Sequence, residues 1–260
     1  LTAAFYLSLV GHDVTVLEAR ADAGGMLRYA LPEYRLPKSI LDREIELIRR
    51  LGVEFRFNTS VGNDVSLHDL DTHYNAVFVS IGTWEESWVY MPGTELQGVM
   101  PALTFLETSA NGNDSRVGRK VVVIGGGNAA IDSARTALRL GSEVTVAYRR
   151  ERKDMPAIKE ETEAAEAEGA SFLFLATPHR IVGDEGGNVK AIELLKTRLG
   201  AFDASGRRRP VPLEEVIRVE CDSVILAVGE RVDLIGGSWA VSSTRGEGTV
   251  LRVIWQDRQS

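Results

Sequence analysis

The most informative pattern of hydrophobic and polar positions lies between Lys120 and Arg150, where it predicts one complete βαβ unit. Residues 121–124 are β-branched and apolar on both faces, as in a strand that is buried between layers of helices. Small and apolar residues then recur at helical spacing from 130 to 141, and a second short apolar strand follows at 144–148. The pattern therefore predicts a strand, a helix and a second strand in direct succession.

A glycine-rich turn joins the first strand to the helix with the spacing G-x-G-x-x-A. In such a turn the first glycine allows the tight bend, the second lets the backbone approach a pyrophosphate, and the alanine lets helix and strand pack closely. The turn opens into a helix N-terminus, whose free N–H groups and positive dipole end favour an anion. The cofactor-binding residues predicted here are Gly125, Gly126, Gly127, Asn128 and Ala129.

Two arginines end the second strand and indicate which dinucleotide binds. Arg149 and Arg150 lie nineteen and twenty positions after Ala130. An acidic residue at this point would bind the ribose 2′-hydroxyl of NAD, whereas arginines suit a 2′-phosphate. We therefore predict an NADPH site that contains both arginines. The alternative interpretation is a structural βαβ unit that ends in a solvated pair of arginines.

The N-terminal third of the chain also alternates between helical and strand patterns. The predicted helices are residues 1–10 and 39–51, and the predicted strands are 13–18, 53–57 and 74–82. The first strand ends in Glu18, whose carboxylate could accept hydrogen bonds from the ribose hydroxyls of a nucleotide without a 2′-phosphate. The alternative for Glu18 is a surface glutamate at the end of a strand.

The rest of the chain predicts a connection, an antiparallel meander and one more buried strand. Residues 83–119 contain prolines, glycines and asparagines around a short apolar stretch, which is typical of a crossing between two domains. The alternating segments of the meander are residues 172–176, 189–195 and 211–219, and the buried strand is 224–229.

Composition and charge exclude several classes of protein. The 260 residues are 44% hydrophobic and carry a net charge of −7, which argues against a nucleic-acid partner. The single cysteine, Cys221, permits no intrachain disulfide, and we expect a buried thiol in a reducing compartment. Four scattered histidines indicate no metal site. No apolar run approaches the roughly 18 residues of a membrane span, so we predict a cytoplasmic protein without a membrane partner.

Several motifs together resemble a known family. They are GGMLRYALPEYRLP from Gly24 to Pro37, GGGNAAID, YRR with MPA, and ILAVG. As a set they resemble the small (β) subunit of NADPH glutamate synthase and its relatives, which include the flavin domains of dihydropyrimidine dehydrogenase and of NADPH:ferredoxin oxidoreductases. The resemblance extends from Leu1 to about Leu234 and stops in the tail.

The resemblance implies an α/β fold with two Rossmann-like, doubly wound domains. An NADPH-binding domain at residues 106–234 would be inserted in an FAD-binding domain, of which 1–105 is one part, and 235–260 would be a divergent or truncated tail. The FAD domain would then be incomplete at both ends, since the family's first glycine loop would precede Leu1 and its closing G-D motif is missing from the tail. We therefore expect the chain to bind NADPH and to hold FAD weakly or not at all.

Further cofactor-binding residues follow from matching positions in the family. Glu18 resembles the FAD ribose ligand, Arg35 a partner of the pyrophosphate or flavin, and Val61 an adenine-side contact. The full set implied in this way is Glu18, Gly24, Gly25, Met26, Leu27, Arg35, Val61, Gly82, Ala227, Val228 and Gly229. Arg35 also lies in a stretch that prolines keep rigid and non-helical, which suits anion recognition. Its alternative is a solvent-exposed loop charge.

The resemblance implies hydride transfer from NADPH to FAD, and we nominate no catalytic acid or base because the cofactors carry this chemistry. Electrons would pass on to an electron-accepting iron–sulfur protein or the large subunit of glutamate synthase, and any iron–sulfur clusters would lie outside this chain. One alternative is a related electron-transfer subunit of the ferredoxin–NADP oxidoreductase or dihydropyrimidine dehydrogenase type. The other is a fragment that only binds NADPH.

Overall fold

The computed structural model describes residues 1–87, 90–110, 117–203, 206–231, 237–244 and 250–257. The helices are α1 (Thr2–Leu9), α2 (Met26–Tyr29), α3 (Lys38–Arg50), α4 (Leu67–His73), α5 (Ala102–Ala110), α6 (Asn128–Arg139) and α7 (Lys159–Ala167). The strands are β1 (Thr15–Leu17), β2 (Glu54–Arg56), β3 (Glu85–Glu86), β4 (Val99–Pro101), β5 (Lys120–Ile124), β6 (Glu143–Tyr148), β7 (Ser171–Phe174), β8 (Ala176–Gly183), β9 (Val189–Phe202), β10 (Arg208–Glu220), β11 (Ser223–Leu226), β12 (Glu230–Arg231), β13 (Gly237–Thr244) and β14 (Val250–Asp257).

The chain divides into two compact units. Unit 1 comprises Leu1–Ala23, Glu46–Glu85 and Glu230–Ser260, and unit 2 comprises Gly24–Ile45 and Glu86–Gly229. The assignment of residues 1–105 to FAD and 106–234 to NADPH stays a prediction, because it depends on which cofactor each segment holds.

A five-stranded sheet in the order β4-β11-β5-β6-β7 forms the centre of unit 2, and each neighbouring pair is parallel. Residues 121–124 of β5 are buried on both faces, as their β-branched pattern predicts. Ala130, Ala134 and Ala137 of α6 are buried against this sheet, since small side chains allow close packing of helix and strand. Parallel strands end at the same edge, so the glycine turn after β5 lies beside the turn after β11.

A three-stranded antiparallel sheet in the order β10-β9-β8 packs against the central sheet of unit 2. Ile181 of β8 and Ile192 and Leu194 of β9 share a core cluster with Val122 and Ile124 of β5. Cys221 is also buried in this cluster, which confirms the predicted core thiol, and burial raises its pKa to about 12.

Unit 1 contains a short parallel pair of strands, in which Val16 of β1 lies opposite Phe55 of β2. Ala4 of α1, Ile48 of α3 and Val53 form a small core against this pair. A separate antiparallel hairpin pairs β13 with β14.

The mixed α/β fold with a parallel sheet confirms the predicted fold class, but two predicted strands are wrong. Residues 74–82 form no strand, and Phe78 in this apolar run is 69% exposed. Residues 171–174 join the parallel sheet instead of the meander. The positive φ of Leu175 turns the backbone between β7 and β8, so the meander begins only at Ala176. No helix among the described residues is long and apolar enough to cross a membrane.

Candidate functional site

The first two glycines of the turn after β5 are required by packing. Gly125 has a φ of +150°, and a Cβ there would overlap the carbonyl oxygen of Ala227. A Cβ on Gly126 would lie 2.5 Å from the ring of Tyr148 at the end of β6. Because backbone and a buried ring cannot easily move away, each position needs a residue without a side chain.

Gly127 is different, because the described residues leave the space beside it almost open. A Cβ at this position would meet only Cγ of Pro156, at 4.0 Å. Gly127 is the N-cap of α6, with a φ of −92° that any residue can adopt and no side-chain capping bond. The first N–H groups of α6 and its positive dipole end therefore border open space, which fits a bound pyrophosphate.

The segment after β6 forms a wall beside the glycine turn. The Ala157 N–H donates to the Gly126 carbonyl at 3.1 Å, and the Ile158 N–H donates to Oδ1 of Asn128 at 2.9 Å. The hydroxyl of Tyr148 donates to the Asp154 carbonyl at 2.8 Å. These bonds hold the turn and the wall together. The side-chain oxygen of Asn128 is used in one of these structural hydrogen bonds.

The turn after β11 forms the other side of this region. The Ala227 N–H donates to the Ile124 carbonyl at 2.8 Å, directly beside Gly125. Gly229 has a φ of +107°, and its carbonyl accepts from the Ser87 N–H at 2.9 Å. The structure thus brings Ala227 to Gly229 together with the glycine turn.

The two arginines at the end of β6 lie in opposite environments. Arg149 is exposed and forms no ion pair with any residue in the described ranges. Arg150 is only 6% exposed, and its Nε donates to the Arg208 carbonyl at 2.8 Å. Its Nη2 lies 3.3 Å from a carboxylate oxygen of Asp203. Arg149 is therefore available to a ligand, whereas Arg150 fastens the β9–β10 hairpin to the end of β6.

Arg35 is paired with carboxylates of unit 2. Its Nη1 donates to both carboxylate oxygens of Asp132 on α6, at 2.9 and 2.8 Å, and its Nε lies 3.4 Å from Glu161 on α7. Burial raises the pKa of Asp132, and the hydrogen bond and charge of Arg35 oppose that rise.

The residues from Gly24 to Leu27 form a turn that leads into the short helix α2. Gly24 has a φ of +127°, and a Cβ there would lie 2.8 Å from Cδ2 of Leu41. Gly25, with a φ of +54°, is the N-cap of α2, in which Met26 and Leu27 are the first residues.

The remaining nominated residues lie in unit 1. The backbone N–H of Glu18 donates to the Arg56 carbonyl at 2.9 Å, and its carboxylate accepts from the Arg20 N–H at 3.0 Å. Val61 forms an isolated bridge with Val65. Gly82 has a φ of +73°, and a Cβ there would lie 3.6 Å from the Trp84 ring.

Sequence reasoning missed three residues that shape the site. Tyr148 fills the space beside Gly126, Asp132 receives Arg35, and Asp203 receives Arg150. The signals were an aromatic residue at a strand end and an acid within an apolar helical pattern, but neither identifies a partner. No group of histidine, cysteine or acidic side chains in the described residues could hold a metal ion.

Comparison with known proteins gives several relatives of substantial identity. The NADP(+)-dependent formate dehydrogenase subunit beta of Moorella thermoacetica is 43% identical over 239 residues, which cover 90% of this chain and 34% of the relative. The NADPH-Fe(3+) oxidoreductase subunit beta of Geobacter sulfurreducens is 41% identical over 242 residues, 90% of this chain and 36% of the relative. The glutamate synthase [NADPH] small chain of Escherichia coli is 36% identical over 245 residues, 89% of this chain and 52% of the relative.

Solved structures share the fold. Mycobacterium tuberculosis FprA in complex with NADPH superposes with a TM-score of 0.75 at 20% identity, covering 88% of this chain and 67% of that one. Thioredoxin reductase of T. acidophilum gives a TM-score of 0.66 at 18% identity, covering 92% and 78%.

The chain spans about a third to a half of the length of these curated relatives. Their names confirm the resemblance to glutamate synthase small subunits and related oxidoreductases. The sequence model of the pyridine nucleotide-disulphide oxidoreductase family matches residues 1–237. The chain therefore belongs to the pyridine nucleotide-disulphide oxidoreductase family.

Proposed function

We propose that this chain is the electron-entry part of an FAD-dependent NADPH oxidoreductase, in which NADPH reduces FAD. The observation that carries the proposal is the open space beside Gly127. Neither its φ of −92° nor its surroundings require a glycine. A residue without a side chain is needed there only if something else comes to occupy the space, and a helix N-terminus attracts a pyrophosphate.

The nucleotide site would be built from unit 2. The N–H groups at the start of α6 would hold the pyrophosphate, and the exposed guanidinium of Arg149 would pair with the 2′-phosphate. Arg150 keeps the adjacent hairpin in place through Arg208 and Asp203. The turn from Ala227 to Gly229, beside Gly125, would face the nicotinamide end.

The flavin site is proposed from the family positions. The positions that the family resemblance assigns to FAD are Glu18, residues 24–27, Val61 and Gly82. Bound FAD and NADPH supply the hydride transfer, and the protein contributes position and electrostatics. No acidic or basic side chain of this chain is required to move a proton in that step.

The electron acceptor would be a partner subunit that carries iron–sulfur clusters. Three relatives are named as subunits or chains of larger enzymes, which supports a partner in general. A large subunit of glutamate synthase is the acceptor that the sequence motifs suggest. The chain is 43% and 41% identical to the formate dehydrogenase and Fe(3+) oxidoreductase subunits, against 36% for the glutamate synthase chain. A partner subunit of either of those two enzymes is therefore supported equally well as the acceptor.

The test is binding followed by reduction. NADPH is titrated into the purified 260-residue chain, with NADH as the matched ligand, and NADPH is expected to bind at least tenfold more tightly because of Arg149. FAD is then added in excess, because the chain is expected to hold it weakly, and bleaching of the flavin band after addition of NADPH reports hydride transfer. Equal affinity for both nucleotides, or no binding of either, would contradict the proposed NADPH site.

A further inference from the structure

The pair formed by Arg35 and Asp132 joins two segments that lie 97 positions apart. The side chains are 18% and 7% exposed, so water screens the pair only weakly. Arg35 lies in the proline-rich segment 31–37, and Asp132 lies one turn into α6, the helix whose N-terminus forms the nucleotide site proposed above.

This pair is part of a balanced cluster of charges. Glu161 contacts both Arg35 and Arg135, and Glu168 binds Arg135 at 2.6 Å and Arg139 at 2.8 Å. The ring of Tyr34 stacks on Arg139 and Arg135, at 3.7 and 4.6 Å from guanidinium to ring centroid. The three guanidinium groups belong to Arg35, Arg135 and Arg139, and the three carboxylates to Asp132, Glu161 and Glu168. Loss of Arg35 would leave one negative charge uncompensated beside α6.

An uncompensated carboxylate at Asp132 would oppose a bound pyrophosphate. The N-terminus of α6 attracts anions through its free N–H groups and its dipole. A negative charge in the first turns of the same helix partly cancels that positive potential and repels a second anion. The carboxylate is buried, so this repulsion is stronger than it would be in water.

We propose that Arg35 is a positioning residue for the pyridine nucleotide: by neutralising Asp132 it keeps the N-terminus of α6 available to the pyrophosphate, and it thereby couples segment 31–37 to nucleotide binding. The inference rests on the proposed NADPH site. It replaces the direct contact with a cofactor that the family position of Arg35 implies.

A double-mutant cycle tests this role. NADPH is titrated into the wild-type chain and into Arg35→Ala, Asp132→Asn and Arg35→Ala/Asp132→Asn. Arg35→Ala is expected to bind about tenfold more weakly, the order expected for one buried charge that acts across less than two turns of helix at an effective dielectric of about 20. The double variant is expected to return to within about threefold of wild type, because the repelling charge is gone.

Matched variants separate charge from structure. Arg35→Lys keeps the positive charge and is expected to keep most of the affinity. Arg28→Ala removes a nearby arginine on α2 that pairs with Asp42 of α3 at 2.5 Å and not with a residue of α6, and it is expected to leave NADPH affinity unchanged. The unfolding midpoint of the double variant is expected to stay lowered while its affinity recovers, which a purely structural role would not produce.

Two results would overturn the inference alone. In the first, the wild type binds NADPH and Arg35→Ala binds it equally well. In the second, the double variant stays as weak as Arg35→Ala, which would mean that Arg35 contacts the nucleotide directly. A wild-type chain that binds no NADPH would overturn the proposed function, and the inference with it.

Discussion

Unit 2 contains two glycine turns that look alike in the sequence, Gly24–Gly25 before α2 and Gly125–Gly127 before α6. The first glycines of each turn have no room for a side chain. A Cβ on Gly24 would meet Leu41, and in the second turn the Cβ atoms would meet Ala227 and Tyr148. In each turn the last glycine faces open space, since a Cβ on Gly25 meets no heavy atom within 4 Å and one on Gly127 meets only Pro156.

Gly25 and Gly127 differ in the reason for which a glycine is needed at each position. Gly25 has a φ of +54°, which disfavours every other residue, so the backbone itself explains the glycine. Gly127 has an ordinary φ of −92° and precedes a helix of 12 residues, whereas α2 has 4. The absence of a structural reason at Gly127, together with a full-length helix, is why we propose Gly125–Gly127 as the nucleotide-binding turn.

The largest effect is expected from Gly127→Val. The side chain fits into the open space of the free protein but would occupy the place proposed for the pyrophosphate. We expect NADPH affinity to fall more than about 100-fold, which corresponds to the loss of two or more charge-assisted hydrogen bonds. Calorimetric titration measures the affinity, and far-ultraviolet circular dichroism should be nearly unchanged.

Gly126→Ala is the matched variant in the same turn. Its Cβ would lie 2.5 Å from the Tyr148 ring, so overpacking should lower the free energy of unfolding by about 1–3 kcal/mol. If Gly127→Val retained normal affinity while Gly126→Ala behaved as expected, the whole turn would be structural and the contrast with Gly25 would disappear.

Arg149→Ala should produce the next largest effect, a change in nucleotide preference. Removal of one charge-assisted contact to a phosphate costs about 1.5–3 kcal/mol, or about 10- to 100-fold in affinity for NADPH. NADH has no 2′-phosphate, so its affinity should change by less than about twofold. Parallel titrations with both nucleotides measure the ratio, and an unchanged ratio would remove Arg149 from the site.

Arg150→Ala should instead reduce stability. The buried guanidinium bonds the Arg208 carbonyl and Asp203, and its removal takes one hydrogen-bond partner from each of these groups. We expect a loss of about 1–3 kcal/mol in urea unfolding, with the ratio of NADPH to NADH affinity within about threefold of wild type. A collapse of that ratio with unchanged stability would assign the phosphate to Arg150.

Local features of the site could be predicted from the sequence because their determinants are contiguous. The strand before Gly125, the glycine spacing and the start of α6 all lie within a few residues of one another, and the structure places them as predicted. The proximity of Ala227 to Gly125 was not predicted, because it depends on the pairing of β11 with β5 in the folded sheet.

Long-range partners could not be predicted in the same way. Arg35 and Asp132 are 97 positions apart, and Arg150 and Arg208 are 58 apart, so their pairing depends on tertiary packing. The strand prediction at 74–82 failed for a related reason. An apolar run indicates burial, but a ladder also needs a neighbouring strand, and Phe78 in that run is 69% exposed.

Gly25→Ala tests the first turn and should show the reverse of Gly127→Val. The added methyl group meets no neighbour, so the cost comes from the positive φ alone, about 1–2 kcal/mol in the free energy of unfolding. NADPH affinity should stay within about twofold of wild type. A variant with wild-type stability would show that the backbone of this turn relaxes easily, and Gly25 would then need a ligand to explain it, as Gly127 does.

The smallest effect concerns the ion pairs that anchor α6, in which Glu168 binds Arg135 and Arg139 of this helix. Hydrogen bonds from Arg139 and Arg135 lower the pKa of Glu168 from 4.5 to about 2. A carboxylate whose pKa is lower in the folded state adds stability that is fully present above about pH 4.5 and is lost as the pH falls towards about 2. Glu168→Gln should therefore cost about 1 kcal/mol at pH 7, allowing for partial exposure.

The difference between Glu168→Gln and wild type should shrink steadily between about pH 4.5 and pH 2, as protonation removes the same interaction from the wild type. Urea unfolding at several pH values measures it. Glu163→Gln on α7 is the matched control, because Glu163 is half exposed and its ion pair among the described residues is with Lys159, at 3.7 Å. Its effect should stay below about 0.5 kcal/mol. A pH-independent cost at Glu168 would mean that the side chain anchors α6 by packing and not by its charge.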